Sequence, residues 1–155
     1  MRFLGNIDAH IDSKGRVFLP AAFRKELQQG GDERMVMRKD IHQTCLMLYP
    51  ESVWNSQMDA MFANADEWDE VERQVLRQYM SDVEILALDA TGRLLVPRRY
   101  IELAQIGNEV RFLGMSQTIE IWNPDLLDKP RLDQPTYASH LKQIMNRKKA
   151  PSNDQ

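Results

Sequence analysis

The sequence predicts an α+β fold built from one duplicated unit, and two observations support this. An Asp-Ser-Lys-Gly-Arg motif at residues 12–16 is followed by apolar residues and Pro20, and an Asp-Ala-Thr-Gly-Arg motif at residues 89–93 is followed similarly by Pro97. The shared residues recur at a constant offset of 77 positions, which is typical of a repeated supersecondary unit. In both halves, strand-like and helix-like segments occur in the order strand, turn, strand, helix, strand, strand.

The first unit begins with a strand, because apolar residues at positions 7, 9 and 11 alternate with polar ones. Asp, Ser and Gly then favour a turn, and residues 17–19 are apolar again. These segments predict a hairpin with Lys14 near its tip and Arg16 just after it. Pro20 suits the first turn of a helix over residues 21–27, and Gly30-Gly31 ends it.

The second unit repeats this order, with a less regular strand at residues 83–88 and a short apolar run at 94–96. Pro97 opens a helix predicted over residues 98–105, and Gly107 ends it. A further pair of strands follows each helix. The predicted pairs cover residues 35–37 and 45–50 in the first unit, and 110–113 and 118–124 in the second.

The segment between the units, residues 51–81, has helical periodicity and predicts a helical hairpin. Its Met and aromatic stripe favours a core or subunit contact over a cofactor pocket. After Pro124 the pattern weakens to an amphipathic helix around Tyr137 and Leu141, a basic end at residues 147–149 and a disordered tail at 150–155. The predicted division is 1–50, first repeat; 51–81, helical linker; 82–124, second repeat; and 125–155, C-terminal helix and tail.

Composition indicates a soluble globular protein. The 155 residues are 43% hydrophobic and 28% charged, which is enough for one compact domain or two small ones that share a core. No apolar run has the length of a membrane span, and we expect no secretory signal segment. Cys45 is the only cysteine, so an intramolecular disulfide is excluded and a reducing cytoplasm is expected.

Charge is unevenly distributed. The net charge is −3, but residues 51–90 carry −8 and the rest of the chain carries +5. The basic side chains at the two motifs and the helices after them are Lys14, Arg16, Arg24, Lys25, Arg93, Arg98 and Arg99. A local basic face of this kind can bind phosphate whatever the total charge.

The Asp-x-x-x-Arg spacing has two interpretations. The two side chains flank a tight turn, so the carboxylate can cap turn amides or brace the guanidinium. Either a purely structural turn or a turn that presents an arginine would be duplicated, so the repeat does not decide between them.

A wider set of residues identifies a family. The set consists of Arg2-Phe3-Leu4-Gly5, the first motif with its Leu-Pro, Asp40-Ile41-His42, the run from Cys45 to Pro50, and the second motif with its Val-Pro. Over residues 1–124 the chain resembles the MraZ family of bacterial transcriptional regulators. The resemblance implies swapped-hairpin, AbrB-like units that form a double-split β-barrel. It also implies a homo-oligomeric ring in the cytoplasm, associated with the nucleoid.

The resemblance further implies binding to short repeats in promoter DNA of the division and cell wall gene cluster, generally as a repressor. By position, the family's DNA-contacting loop falls on Lys14, Gly15 and Arg16, with Gly92 and Arg93 as its counterpart. Asp12 and Asp89 are predicted to be structural partners of the arginines. Thr91 replaces the lysine in the second copy, so equal roles for the two copies are in question. No cofactor, metal, membrane or small-molecule substrate is expected.

Other functional classes fit the sequence less well. An enzyme is disfavoured, because His10 and Asp12 lack an accompanying nucleophile or phosphate loop. His42 and Cys45 have ligand-like spacing, but a zinc site needs about two more ligands. A homo-oligomeric assembly protein that does not bind DNA stays open as the alternative. A single-copy, antitoxin-like AbrB protein is disfavoured by the duplication.

Overall fold

The computed structural model describes residues 1–129 and 131–147 and confirms the α+β class. The strands are β1 (Asn6–His10), β2 (Arg16–Phe18), β3 (Arg34–Lys39), β4 (Leu46–Pro50), β5 (Glu84–Ala87), β6 (Arg93–Leu95), β7 (Glu109–Met115) and β8 (Thr118–Trp122). The helices are α1 (Ala21–Gln29), α2 (Glu51–Asn64), α3 (Glu70–Ser81), α4 (Arg98–Leu103), α5 (Pro124–Leu127) and α6 (Gln134–Asn146). The tail predicted to be disordered lies outside the described residues.

The strands form two antiparallel sheets in which the sequence repeats are interleaved. The larger sheet has the order β1-β7-β8-β4-β3-β5, and β2 pairs with β6 in a separate two-stranded ribbon. Four pairings join strands from different repeats: β1 with β7, β4 with β8, β3 with β5, and β2 with β6. Neither repeat therefore completes its strand pairing alone.

The predicted pairing of the strands on either side of each motif is wrong. In the first repeat, β1 pairs with β7, where Ile7 lies opposite Phe112, whereas β2 pairs with β6. The reason is burial: β2 has only three residues, of which Val17 alone is buried. Pairing with β6 places Val17 opposite the buried Leu94, so each short strand gains an apolar partner.

One hydrophobic core is shared by the two repeats. Phe23 of α1 and Tyr100 of α4 are 77 positions apart, and both are fully buried in it. Phe3 packs edge-to-face on Phe23 with 5.6 Å between ring centroids. Both helices therefore bury their aromatic anchors in the same core, which neither repeat forms alone.

The helical hairpin predicted between the repeats is present as α2 and α3. Asp69 caps α3, since its carboxylate accepts hydrogen bonds from the amides of Val71 and Glu72. Trp54 of α2 is buried and stacks on Tyr79 of α3, with ring centroids 5.7 Å apart. Part of the predicted apolar stripe thus packs on the sheet, while other members stay exposed.

Several element ends differ from the prediction. Helix α4 ends at Leu103, because Gln105 adopts a left-handed conformation with φ 54°, so Gly107 is not its cap. Helix α1 runs to Gln29 and is followed by Gly30, as predicted.

The predicted C-terminal helix is α6, which buries none of its residues. Within the described residues, no helix combines the length and apolarity that crossing a membrane requires.

Candidate nucleic-acid interface

The first motif forms a tight turn organised by Asp12. The Gly15 amide donates to the Asp12 carbonyl oxygen, and the Asp12 amide donates to the Arg16 carbonyl oxygen, both at 3.0 Å. The Asp12 carboxylate accepts bonds from the amides of Lys14 and Arg16 at 2.9 Å. The same carboxylate accepts a bond from Arg16 Nε at 2.8 Å. The Asp12 carboxylate therefore binds two turn amides and the Arg16 guanidinium together, which fixes the direction of that guanidinium.

The second motif repeats this arrangement around Asp89. Its carboxylate accepts bonds from the amides of Thr91 and Arg93 at 2.9 Å and from Arg93 Nε at 2.8 Å. The Thr91 hydroxyl donates a further bond to it at 2.8 Å. The second turn thus uses an extra neutral donor where the first turn carries the Lys14 ammonium.

These bonds stabilise the ionised carboxylates. The pKa of Asp12 is lowered, chiefly by the backbone hydrogen bond from Arg16. The pKa of Asp89 is lowered further, chiefly by the backbone bond from Arg93 and then by the Thr91 hydroxyl. Both aspartates are therefore charged at neutral pH, and each holds its arginine by a charge-assisted bond.

The two motif glycines have structural reasons to be glycine. Gly15 and Gly92 have φ of 88° and 90°, which other residues rarely adopt. A Cβ at Gly15 would lie 2.6 Å from the carbonyl oxygen of Val96. A Cβ at Gly92 would lie 3.0 Å from the flexible side chain of Arg24. Each glycine also links the repeats through its carbonyl oxygen. That of Gly15 accepts a bond from the amide of Val96, and that of Gly92 accepts one from the amide of Leu19.

The ribbon of β2 and β6 brings the two arginines to one surface. Arg16 lies opposite Leu95, and Phe18 lies opposite Arg93. Directly opposed residues of an antiparallel pair point to the same face, so these four side chains share it. Strand spacing places the Cα atoms of Arg16 and Arg93 about 8 Å apart. We call these four residues the ribbon face.

Sequence reasoning missed Phe18 and Leu95 as members of this surface. Each is 54% exposed, although apolar strand residues in a short run are usually buried. The available signal was the period of two, because Phe18 is two residues from Arg16 and Leu95 is two residues from Arg93. An exposed apolar pair flanked by two arginines indicates a contact surface.

The charges around the two turns are arranged differently. Lys14 is exposed, and no carboxylate of residues 1–129 and 131–147 lies within 4.0 Å of its ammonium group. Thr91 leaves the second tip neutral, but Arg24 of α1 reaches across to Gly92 while donating to the Leu19 carbonyl oxygen at 2.8 Å. The residue that corresponds to Arg24 in the second repeat is Ile101, which lies against Gly15. Both turns therefore have a cation nearby, from different positions in the repeat.

The residues considered for catalysis or metal binding are not assembled into such a site. His10 Nδ1 lies 3.1 Å from the Asn108 carbonyl oxygen, while the carboxylate of Asp12 is engaged by its own turn. Cys45 is buried, and burial raises the pKa of its thiol to about 12. No cluster of three or more potential ligands occurs within the described part of the chain.

Comparisons with known proteins point to one family. Residues 3–78 and 81–129 match the family model described as "MraZ protein, putative antitoxin-like". A protein of Phocaeicola vulgatus named transcriptional regulator MraZ is 48% identical over 145 residues, or 94% of each chain. A protein of Bacteroides fragilis with the same name is 41% identical over all of this chain and 98% of its own. One from Roseiflexus is 34% identical over 79% of this chain and 81% of its own.

Proposed function

The chain belongs to the MraZ family, and we propose that it is a sequence-specific DNA-binding transcriptional regulator that reads promoter repeats as a homo-oligomeric ring. Repression of the division and cell wall gene cluster is part of this proposal, as is a cytoplasmic, nucleoid-associated location. We also propose that the interleaved strands form a double-split barrel of swapped-hairpin units. The ribbon face, with its two aspartate-held arginines, is the single observation that carries the proposal.

The shape of the ribbon suits the major groove of DNA, which admits a two-stranded β-ribbon. Arg16 and Arg93 stand at diagonal corners of the ribbon face. A separation of about 8 Å along a duplex with a rise of about 3.4 Å per base pair corresponds to roughly two base-pair steps. The two arginines would therefore read neighbouring bases rather than distant half-sites.

The hydrogen bonds of the turn leave each arginine suited to reading guanine. The aspartate binds Nε, so the two terminal nitrogens stay available to donate to another acceptor. A guanidinium that donates two parallel bonds to guanine O6 and N7 contributes about 1–3 kcal/mol of discrimination. Because the aspartate already orders the side chain, the entropic cost of binding is smaller. Phe18 and Leu95 would lie beside it, where thymine methyl groups supply apolar contacts.

One subunit offers only a few such contacts, so a single repeat should bind weakly. Subunits held in a ring reach adjacent repeats at high effective concentration, which converts weak contacts into tight binding. Apolar residues that face solvent in one chain support assembly. Those on or beside α3 and on α6 include Trp68, Val71, Val75, Ile144 and Met145.

The test is binding of the full-length protein to DNA from upstream of its own gene, measured against unrelated DNA of the same length over a range of salt. Arg16→Ala is compared with Arg131→Ala, which removes an equal charge from an exposed ion pair outside the motifs. We expect Arg16→Ala to weaken specific binding by about tenfold or more, since it removes a base contact. Arg93→Ala should weaken it less, and Arg131→Ala should leave it nearly unchanged.

Non-DNA-binding assembly is the second candidate, and the exposed apolar residues of α3 and α6 are the observation that favours it. It predicts equal, weak binding to both DNA molecules, unaffected by Arg16→Ala, together with a stable oligomer. That result would reject the DNA-reading proposal. Circular dichroism of each variant shows whether a loss of binding comes from unfolding instead.

A further inference from the structure

A cavity of about 420 Å³ lies between the end of β3 and helix α3, away from the two motif turns. Its walls include Arg38 of β3, Ile41 in the following loop, and Val75 and Tyr79 of α3. Asp82, the residue after α3, closes one side. None of these residues belongs to the ribbon face, so the cavity is a separate feature of the molecule.

Arg38 is the unusual residue of this cavity. Its side chain is more than nine-tenths buried, with 7% of the residue exposed. Its guanidinium carbon lies 4.4 Å from the ring centroid of Tyr79, a cation–π contact. Its Nε is buried and has no hydrogen-bond partner within the described residues. No carboxylate of residues 1–129 and 131–147 lies within 4.0 Å of it. A buried guanidinium without a counter-charge is costly.

The other charged groups of the cavity are already engaged. Asp82 forms an ion pair with Arg99 of α4 at 2.8 Å. Lys39 Nζ donates to the carbonyl oxygens of Asp40 and Gln43. The Asp40 carboxylate accepts bonds from the amides of His42 and Gln43. Neither Arg38 nor Lys39 has a carboxylate partner among the described residues, but Arg38 differs in that its buried Nε also lacks a hydrogen-bond partner there.

Arg38 also influences a buried tyrosine. Burial raises the pKa of Tyr49, and the nearby positive charge of Arg38 opposes that rise. The guanidinium itself lies over the ring of Tyr79 and lines the cavity. The cation–π contact with Tyr79 and the burial of the side chain hold it in place, which is the preorganisation that a recognition residue needs.

We propose that this cavity binds a small organic anion whose oxyanion group, a carboxylate or a phosphate, pairs with Arg38. Guanidinium groups bind both oxyanions through planar, two-point hydrogen bonds, which accounts for the unpartnered donor. The apolar body of the ligand would pack on Val75 and Ile41, which are 57% and 64% exposed at the cavity rim. The cavity volume falls within the range of small-molecule sites.

The test is titration of the full-length protein with benzoate, phenyl phosphate and inorganic phosphate by calorimetry, with neutral benzamide as the matched control. We expect saturable binding of benzoate or phenyl phosphate with a Kd on the order of 1 mM or tighter. Benzamide should bind at least tenfold more weakly. The benzoate and phenyl phosphate arms distinguish a carboxylate ligand from a phosphate ligand, and inorganic phosphate shows whether the head group alone suffices.

Two variants tie the binding to this cavity. Arg38→Met removes the charge at similar length and should weaken anion binding at least tenfold. Val75→Trp should block the cavity from its rim, whereas Gln74→Trp, at an exposed position of the same helix that does not line the cavity, should bind like the parent. If Arg38→Met fails to fold, the comparison of the two tryptophan variants decides.

Three results would overturn the proposal. The first is no saturable binding of any of the three anions. The second is equal binding of benzamide, or equal loss in both tryptophan variants. The third is a changed oligomeric mass of Arg38→Met in sedimentation, combined with no anion binding by the parent protein. That result would indicate that Arg38 pairs with a carboxylate of a second copy of the chain.

Discussion

The two motif turns share one backbone design but differ in how charge is supplied to them. In both, an aspartate carboxylate accepts two turn amides and the Nε of an arginine, at almost the same distances. The first turn carries Lys14 at its tip and lies against the apolar Ile101. The second carries Thr91 and lies against the cationic Arg24.

This difference shows that the aspartate-bound arginine is common to both repeats. The sequence position of the second cation near each turn differs between them. Lys14 and Arg24 come from different positions in the repeat, yet each puts one positive group near a turn. The turns lie at opposite ends of one ribbon, so the surface has a pseudo-twofold geometry without identical chemistry. We expect the first turn to be the stronger reader and the second to contribute mainly through Arg93.

The largest expected difference between the turns concerns their glycines. Gly15→Ala should destabilise the protein by about 3 kcal/mol, because a left-handed backbone adds to a clash with the backbone oxygen of Val96. Gly92→Ala should cost about 1 kcal/mol, because its φ is similar but its neighbour is the movable side chain of Arg24. Urea unfolding of both variants at one protomer concentration measures the two costs.

Gly31→Ala is the matched control for the backbone contribution. Gly31 also has a positive φ, of 79°, but a Cβ there would meet no atom within 4 Å. It should therefore report conformational strain alone. Equal destabilisation by all three variants would show that close approach between the repeats has no energetic role, and that the turns differ only in charge.

The sequence predicted the local structure of these turns well because their chemistry is local. Asp12 and Gly15 are read from residue type and spacing, and the helices α1, α2 and α3 follow from periodicity and caps. Strand partners were not predictable in the same way. Each short strand can pair with any neighbour, and burial of Val17 against Leu94 was decided by the whole core.

Of the candidate site, the sequence identified Lys14, Arg16 and Arg93, whose role in binding DNA stays a prediction. It missed Phe18 and Leu95, because apolar residues of a short strand are usually buried, and only their spacing of two from each arginine indicated the exposed face. It also missed the burial of Arg38, since a charged residue in a strand is normally expected to be exposed. Long-range packing decides both features.

A charge exchange between the turns should have the next largest effect. Lys14→Thr gives the first turn the residue of the second, and Thr91→Lys does the reverse. Lys14→Thr should lower the slope of log affinity against log salt by about 0.9 for each DNA phosphate that a subunit no longer neutralises. Thr91→Lys should raise the slope by less, because Arg24 already lies beside that turn.

Filter binding to promoter DNA between 50 and 200 mM salt measures both slopes. Over this range the affinity is expected to change about 10³-fold. The double variant Lys14→Thr with Thr91→Lys is the control, since it keeps the total charge. If its slope equals that of the parent, the two tips are interchangeable. Such a result would contradict the unequal roles proposed for the two turns.

The smallest expected effect concerns the two aspartates as acids. Their folded-state pKa values are lowered, so each adds stability that is present above the ordinary pKa of 3.8 and is lost as the pH falls through the lowered value.

Thr91→Ala removes the hydroxyl that donates to Asp89, and should raise the pKa of Asp89 towards that of Asp12. Lys14→Ala should leave the pKa of Asp12 unchanged, because Lys14 stabilises that carboxylate through its amide. Carboxyl ¹³C NMR titration from neutral pH downwards follows each aspartate separately. An unchanged pKa of Asp89 in Thr91→Ala would show that the hydroxyl bond is absent in solution. The two turns would then be equivalent as acids and would differ only in the cations beside them.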